Sequence, residues 1–435
     1  MLETLIYAVV IAFAIGVPVI YIRRERQKSN RAAGILKKSI ERGLDQPVSL
    51  HPYIDPSKCM GSGACVEACP EKDVLGLIDG KGVLVNASRC VGHGMCEAAC
   101  PVSAITLVFG TELRGVDIPH VNGTFETNVP GVYIAGELGG MGLIRNAVSQ
   151  GKQAAQNIAK SIAAEARTEF LDLLIVGAGP AGIAAALQAK KDGLRFLVVD
   201  QEDLGGTILT YPRKKLVMTQ PMELPLYGTV KEREIAKETL IDIFSEVFQK
   251  TGLIVRANEK VNEVTRLDDH FRVVTSVAEY EARCVLLAIG RRGSPRKLGA
   301  PGEKSEKVAY RLLEPEKFHQ ICALVVGGGD SAVEAAVALA EQPGNTVHLS
   351  YRGEGLFRIK DGNRERIDRA VKKGSVNLLF NSTVTRIEKS TVHLEQNGHE
   401  VTLPNDQIFV FIGGELPTEF LKKIGIEFSR KFGER

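Results

Sequence analysis

The sequence has little charge of either sign in excess. Its 55 lysines and arginines stand against 52 aspartates and glutamates, leaving a net charge of +3. So small a surplus supplies no electrostatic footprint for nucleic acid, which is not expected as a partner. No C-x-x-C pair occurs anywhere. That absence removes the paired knuckles of a structural zinc site and the dithiol of a thioredoxin-like redox motif. Basic residues are missing before the first apolar run, where only Glu3 is charged. The run therefore has no basic start of the kind a cleaved leader carries. Composition is otherwise ordinary, with 44% hydrophobic and 25% charged residues over a length that suggests about three domains.

Residues Leu5 to Ile22 form eighteen positions without a charge. That length just suffices to span a bilayer as a helix, and Gly16 and Pro18 are tolerable within it. Arg23, Arg24, Arg26 and Lys28 follow at once, and positive flanks stay cytoplasmic. The expectation is a single-pass anchor over 1–28 in the cell inner membrane, with lipid as a partner and the body facing the cytoplasm. Residues 29–50 read as a polar linker with a short amphipathic helix around Gly34 to Arg42.

Six of the eight cysteines lie in two near-copies of one run. The first has Cys59, Cys65, Cys69 and Pro70; the second has Cys90, Cys96, Cys100 and Pro101. This resembles the C-x2-C-x2-C-x3-C-P run of bacterial two-cluster ferredoxins, over residues 51–110. In such runs the last cysteine crosses to the other cluster. The resemblance implies one iron–sulfur cluster on Cys59, Cys65 and Cys100 and another on Cys69, Cys90 and Cys96. Ser62 and His93 stand where each second cysteine belongs. Either a corner lacks a thiolate, as in [3Fe–4S] ferredoxins, or His93 imidazole or Ser62 alkoxide closes a [4Fe–4S] corner. Imidazole is a plausible iron ligand; serine must first ionise. A disulfide reading would need an oxidising compartment, against which the nucleotide motifs argue. Between the runs, Val74 to Ile78 and Gly82 to Val85 read as short strands around a Gly80-Lys81-Gly82 turn.

Many of the 44 glycines gather in loops beside apolar runs. Leu173 to Val176 reads as a strand that meets Gly177, Gly179 and Gly182, and an alanine-rich helix follows. A second strand, Phe196 to Val199, ends in Asp200. Glycines let the backbone approach a pyrophosphate seated on the helix N-terminus, and the acid accepts bonds from ribose hydroxyls. The pattern recurs at Ala323 to Val326, with Gly327, Gly329 and Ala332. Its next strand, Thr346 to Ser350, ends in Tyr351 and Arg352 without a carboxylate. An arginine there suits a 2′-phosphate, so NADPH is favoured over NADH, with Arg358 or Lys360 as assistants.

Two such units resemble the two-dinucleotide-fold flavoproteins, specifically the thioredoxin-reductase-like branch. Gly205-Gly206-Thr207, the return strand Leu286 to Gly290, and Ile408 to Pro417 extend the resemblance. It implies FAD at the first unit, with Gly206 and Gly290 beside it, and NADP or NAD at the second. In that family a segment T-x-x-P-G-[VIL]-[YF]-A-x-G-D closes the FAD domain at the end of the chain. Here Thr127 to Glu137 carries that pattern upstream, with Glu137 for the usual Asp after Gly136, and a helix from about Asn146 to Glu165 follows. The reading is a circular permutation. Its domains are 1–28 anchor, 29–50 linker, 51–110 ferredoxin-like, 111–168 closing segment, 169–300 FAD, 301–412 NAD(P), and 413–435 the return to the FAD domain.

The expected fold class is α/β, with two Rossmann-like dinucleotide-binding domains, a small α+β ferredoxin-like domain and one N-terminal transmembrane helix. The expected function is a membrane-anchored oxidoreductase moving electrons between NAD(P)H, FAD and two iron–sulfur clusters. Its partner would be a ferredoxin, a cytochrome or a quinone, and the sequence leaves a homodimer open. No side chain is expected to act as acid or base. Cys284 and Cys322 read as core residues. A thiol or disulfide reductase is the rival if either is exposed beside the flavin. A non-catalytic redox sensor is the other rival, favoured if NAD(P)H does not reduce the flavin.

Overall fold

The computed structural model describes all residues except 1, 42–44, 48–49, 113–114, 141, 164–168, 204, 212–215, 219–220, 233, 292–294, 358, 360, 415–416 and 434–435. Arg358 and Lys360 thus lie outside the described residues. The chain divides into one unit of residues 1–116 with 430–435, and a second of residues 117–429.

In the first unit, helix α1 runs unbroken over Leu2–Glu41, through the segment that reads as a linker. Among the described residues no helix is long and apolar enough to cross a membrane. This overturns the expected inner-membrane anchor and its cytoplasmic-facing orientation. A span needs about 20 predominantly apolar residues, and the uncharged part of this helix, Leu5 to Ile22, falls short of that and includes Gly16 and Pro18. The helix's second half packs instead. Ala32 is buried, and a Cβ on Gly76 would stand 2.7 Å from the Ala32 Cβ. Arg31 pairs with Asp73 at 3.0 Å, and the Asp79 N–H donates to Ser29 Oγ at 3.1 Å.

Strands Leu75–Ile78 and Lys81–Leu84 form a hairpin with Ile78 opposite Lys81. Asp79 and Gly80 both take positive φ, 50° and 74°, as a two-residue primed turn requires. Strands His51–Ile54 and Ile105–Val108 pair antiparallel, joining the two ends of the ferredoxin-like unit. Between them sit two short helices, α2 (Ala64–Ala68) and α3 (Met95–Ala98), each led by one cysteine run.

Two large sheets dominate the second unit, beside smaller two- and three-stranded ones. The first has strands Val261–Arg266, Phe271–Thr275, Glu279–Leu287, Leu171–Val176 and Phe196–Val199 in that order. One edge of Glu279–Leu287 is shared. Its first half pairs antiparallel with Phe271–Thr275, and its second half pairs parallel with the upstream segment Val132–Ile134. Helices α4 (Ile144–Ile162) and α5 (Pro180–Lys191) cover one face. Ala154, Ala155 and Ile158 of α4 are fully buried in one core with Ala184 and Ala185 of α5. Small residues let these helices approach closely: a Cβ on Gly151 would lie 2.0 Å from the Ala181 carbonyl oxygen. On the opposite face Leu421 and Ile426 join the core with Ile134, Val285 and Leu287.

The second sheet is parallel, ordered Val308–Ala309, Gln407–Val410, Cys322–Val326, Thr346–Tyr351, Val376–Phe380. Helix α6 (Asp330–Ala340) follows its central strand. In both sheets a glycine loop leaves the carboxyl end of a central strand, where open α/β sheets bind their ligands.

Candidate cofactor sites

The two cysteine runs build two pockets in the first unit. Cys59, Cys65 and Cys100 line one, together with Ser62 and apolar side chains such as Ile54 and Leu77. Cys69, Cys90, Cys96 and His93 line the other, with Pro52, Leu75 and Leu107. The cysteines therefore share pockets across the two runs. All six thiols are free of disulfides. Among the described residues no three His, Cys, Asp or Glu side chains converge on a single-ion site. Each trio of thiols instead lines a shallow pocket that opens to solvent.

Electrostatics fit a metal cluster in these pockets. Burial raises the Cys65, Cys69 and Cys90 thiols and pushes Cys96 up to about 11. Such thiols stay protonated until a metal's charge makes thiolates of them. Backbone donors already aim at sulfur: Gly82 N–H at Cys59 Sγ (3.3 Å) and Ala104 N–H at Cys100 Sγ (3.2 Å). Bonds of this kind tune cluster potentials.

The positions of the missing cysteines differ. Ser62 is exposed, and its hydroxyl accepts the Ala64 N–H at 3.5 Å. His93 is half-buried, and its Nε2 is shut from solvent with no hydrogen-bond partner. Burial lowers its pKa, so the ring is held neutral. Leaving such a nitrogen unpaired costs about 1–3 kcal/mol, which a bound group in the pocket would relieve.

In the second unit the strand Leu171–Val176 runs into Gly177, whose Cβ would stand 2.5 Å from the Ala288 carbonyl oxygen. A Cβ on Gly182 would stand 1.8 Å from the Gly177 carbonyl oxygen. These two glycines permit close backbone approach. Gly179, by contrast, faces open space, as does Gly290, where the return strand ends. A Cβ on Gly206 would stand 3.3 Å from Gly179 Cα. Asp200 is buried; its Oδ2 accepts the Ala178 N–H at 2.5 Å and its Oδ1 the Glu202 N–H at 2.8 Å. Burial raises this carboxyl.

The upstream segment arrives at the same loop. Ala135 N–H donates to the Leu287 carbonyl at 3.2 Å. A Cβ on Gly136 would stand 3.0 Å from the Ala181 Cβ. Glu137 follows, exposed. Gly136 N–H donates to Gln150 Oε1 at 2.8 Å, a buried bond from α4. Gln150 escapes sequence reasoning; its one signal is a polar side chain inside the apolar stripe of an alanine-rich helix.

The second glycine loop repeats this arrangement. Gly327 N–H donates to the Ser350 carbonyl at 2.9 Å, and its Cβ would stand 2.4 Å from the Phe411 carbonyl oxygen. Gly329 faces open space, and Ala332 is fully buried. Arg352 is exposed just beyond the strand Thr346–Tyr351. Tyr351 is a second residue that the sequence does not flag. Its ring lies so close to Gly328 that a Cβ there would stand 2.3 Å away.

Neither remaining cysteine forms part of these loops. Cys284 is buried within its strand, and Cys322 begins the central strand of the second sheet.

Residues 174–433 match the family described as pyridine nucleotide-disulphide oxidoreductase, and residues 51–101 match the 4Fe-4S dicluster domain. The chain is 34% identical over 265 residues to ferredoxin–NADP reductase of Ignicoccus hospitalis, spanning 60% of this chain and 83% of that one. It is 27% identical over 266 residues to bacilliredoxin reductase of Bacillus subtilis, spanning 60% and 82%. The fold is similar to bacillithiol disulfide reductase of Staphylococcus aureus, with TM-score 0.52 and 28% identity over 60% of this chain and 81% of that one. FAD, NADP and iron–sulfur clusters are the cofactors these matches support. With the loops, the thiol pockets and these matches together, the chain belongs to the pyridine nucleotide-disulphide oxidoreductase family, as an FAD-dependent oxidoreductase joined to a 4Fe-4S ferredoxin domain.

Proposed function

We propose that this chain is an NADPH-dependent electron-transfer enzyme whose own ferredoxin domain receives the electrons and passes them to a small one-electron carrier protein. The observation that carries the reading is the pair of three-thiol pockets in a chain without a C-x-x-C dithiol. When bound, NADPH supplies a hydride, and FAD divides its electron pair into the single electrons that clusters carry. The name of the Ignicoccus relative pairs a reductase with ferredoxin; here both parts lie in one chain.

The chain's residues then take these roles. Cys59, Cys65 and Cys100 hold one cluster, and Cys69, Cys90 and Cys96 the other. Gly177, Gly179 and Gly182 bring backbone and the α5 N-terminus to the FAD pyrophosphate. Asp200 orients the loop through Ala178 and keeps lone pairs for ribose hydroxyls. Gly206 and Gly290 keep backbone close to the same ligand. Gly136 and Glu137 close the FAD site from upstream, as a circular permutation brings them there. Support for that is the pairing of Val132–Ile134 with the return strand in the same chain. Gly327, Gly329 and Ala332 cradle the nicotinamide nucleotide, and Arg352 meets its 2′-phosphate.

Anaerobic titration with NADPH tests the reading, followed by flavin absorbance and by paramagnetic resonance. The expected result is flavin bleaching with growth of a cluster signal. Bleaching with clusters that stay oxidised indefinitely would reject it.

A further inference from the structure

The two cluster pockets share one backbone plan. Ser62 and His93 each lie three residues after a run's first cysteine. Each is flanked by glycines in the left-handed region, at φ 73° and 75° for Gly61 and Gly63 and 76° for both Gly92 and Gly94. The short helix begins at the same point in both runs. The difference lies in the side chain alone. Ser62 is exposed, and its oxygen already accepts a neighbouring backbone N–H. His93 lines its pocket with three cysteines and keeps a dry, unpartnered Nε2.

We propose that His93 Nε2 is the fourth protein ligand of the cluster held by Cys69, Cys90 and Cys96, while the cluster at Cys59, Cys65 and Cys100 has no fourth protein ligand. The proposal rests on the reading that these pockets hold clusters. A neutral imidazole carries no charge where a ferredoxin has a thiolate, so it raises the potential of its cluster. A serine hydroxyl at the matching corner must ionise before it binds iron, and Ser62, though it lines its pocket, is exposed and already accepts the Ala64 N–H. The chain thereby contains two clusters of different ligation.

Pulsed paramagnetic resonance of the full-length protein, reduced with dithionite, is the test. The sample is compared with protein carrying ¹⁵N-histidine. One strongly coupled nitrogen is expected on one cluster only, changed by the label and absent in His93→Ala. In His93→Cys the coupling should vanish and the midpoint potential of that cluster should fall, while the other cluster keeps its own. Ser62→Ala should leave both spectra unchanged. If His93→Ala does not accumulate, the label in the wild-type protein and His93→Cys decide. Both clusters present without a coupled nitrogen would overturn the ligand assignment alone, as would a coupling that survives in His93→Cys. Protein that binds no iron would overturn the cluster reading and this assignment together.

Discussion

Replacing Gly151 by alanine tests whether the upstream segment closes the FAD domain. The new Cβ would stand 2.0 Å from the Ala181 carbonyl oxygen, 2.8 Å from its carbon and 3.0 Å from its Cα. All three are backbone atoms of α5, so no side chain can swing away. Relief requires α4 to retreat from α5, and overpacking of this kind costs about 1–3 kcal/mol. Alanine returns up to about 1 kcal/mol of helix preference over glycine. A contact with backbone puts the cost in the upper part of that range, about 2–3 kcal/mol, so the net expected loss is about 1–2 kcal/mol, or roughly 2–8 °C in Tm for a domain of this size. The displaced α5 also carries the Gly177–Gly182 loop, so FAD should be retained less well. Thermal unfolding and the flavin-to-protein absorbance ratio are the assays. Gly139→Ala is the control, because its Cβ would meet nothing nearer than 3.9 Å. A Gly151→Ala protein with unchanged Tm and full FAD would refute the packing of α4 on α5, and the closure with it.

Arg352→Ala should weaken NADPH by about 1.5–3 kcal/mol, the worth of a charge-assisted bond, and leave NADH nearly unaffected; equal losses in a binding titration would refute the 2′-phosphate role. Cys65→Ser and Cys96→Ser should each abolish one cluster signal and spare the other, since they line different pockets; loss of the same signal in both would break the partition of thiols. His348 gives a pH signature. Burial lowers its pKa from the ordinary 6.5, so the folded chain keeps it neutral while the unfolded chain takes up a proton. Its contribution is complete above about pH 6.5 and declines as pH falls from there towards the lowered folded value. Between pH 7.5 and 5, urea unfolding of His348→Gln should show a shallower loss of stability than wild type, and equal slopes would contradict this.

Much of the site is legible in the sequence because its chemistry depends on spacing. The cysteine spacing itself is the signature, and Gly61, Gly63, Gly92 and Gly94 take the positive φ through which each run bends. The nucleotide loops are legible for the same reason: Gly177, Gly182 and Gly327 are places where a Cβ would strike a carbonyl oxygen. What escapes is contact made at long range. Nothing local says that Gln150 reaches back to Gly136, or that Tyr351 lies on Gly328. The reading of 29–50 as a linker differs from the structure because polar residues also suit a helix half-exposed on the ferredoxin-like unit. Within the helical part, 29–41, only Ala32 and Ser39 are buried, too sparse a stripe to register as a packing face. The membrane expectation fails on a related point. An uncharged run at the short end of what a span needs, with Gly16 and Pro18 inside it, is not apolar enough to cross.

The shared edge of strand Glu279–Leu287 has a consequence for biosynthesis. Val132–Ile134 leaves the ribosome long before the strand that it pairs with. At about 5–20 residues per second, the delay between the two is on the order of ten seconds. During that interval Val132–Ile134 has no strand to pair with, although α5 follows closely behind α4 to cover Ala154, Ala155 and Ile158, while the ferredoxin-like unit has everything except the last residues of the chain. Nascent chains should therefore acquire cluster-binding thiols in place before any flavin site exists. The upstream segment would be the stretch for which a chaperone competes with the chain's own later half.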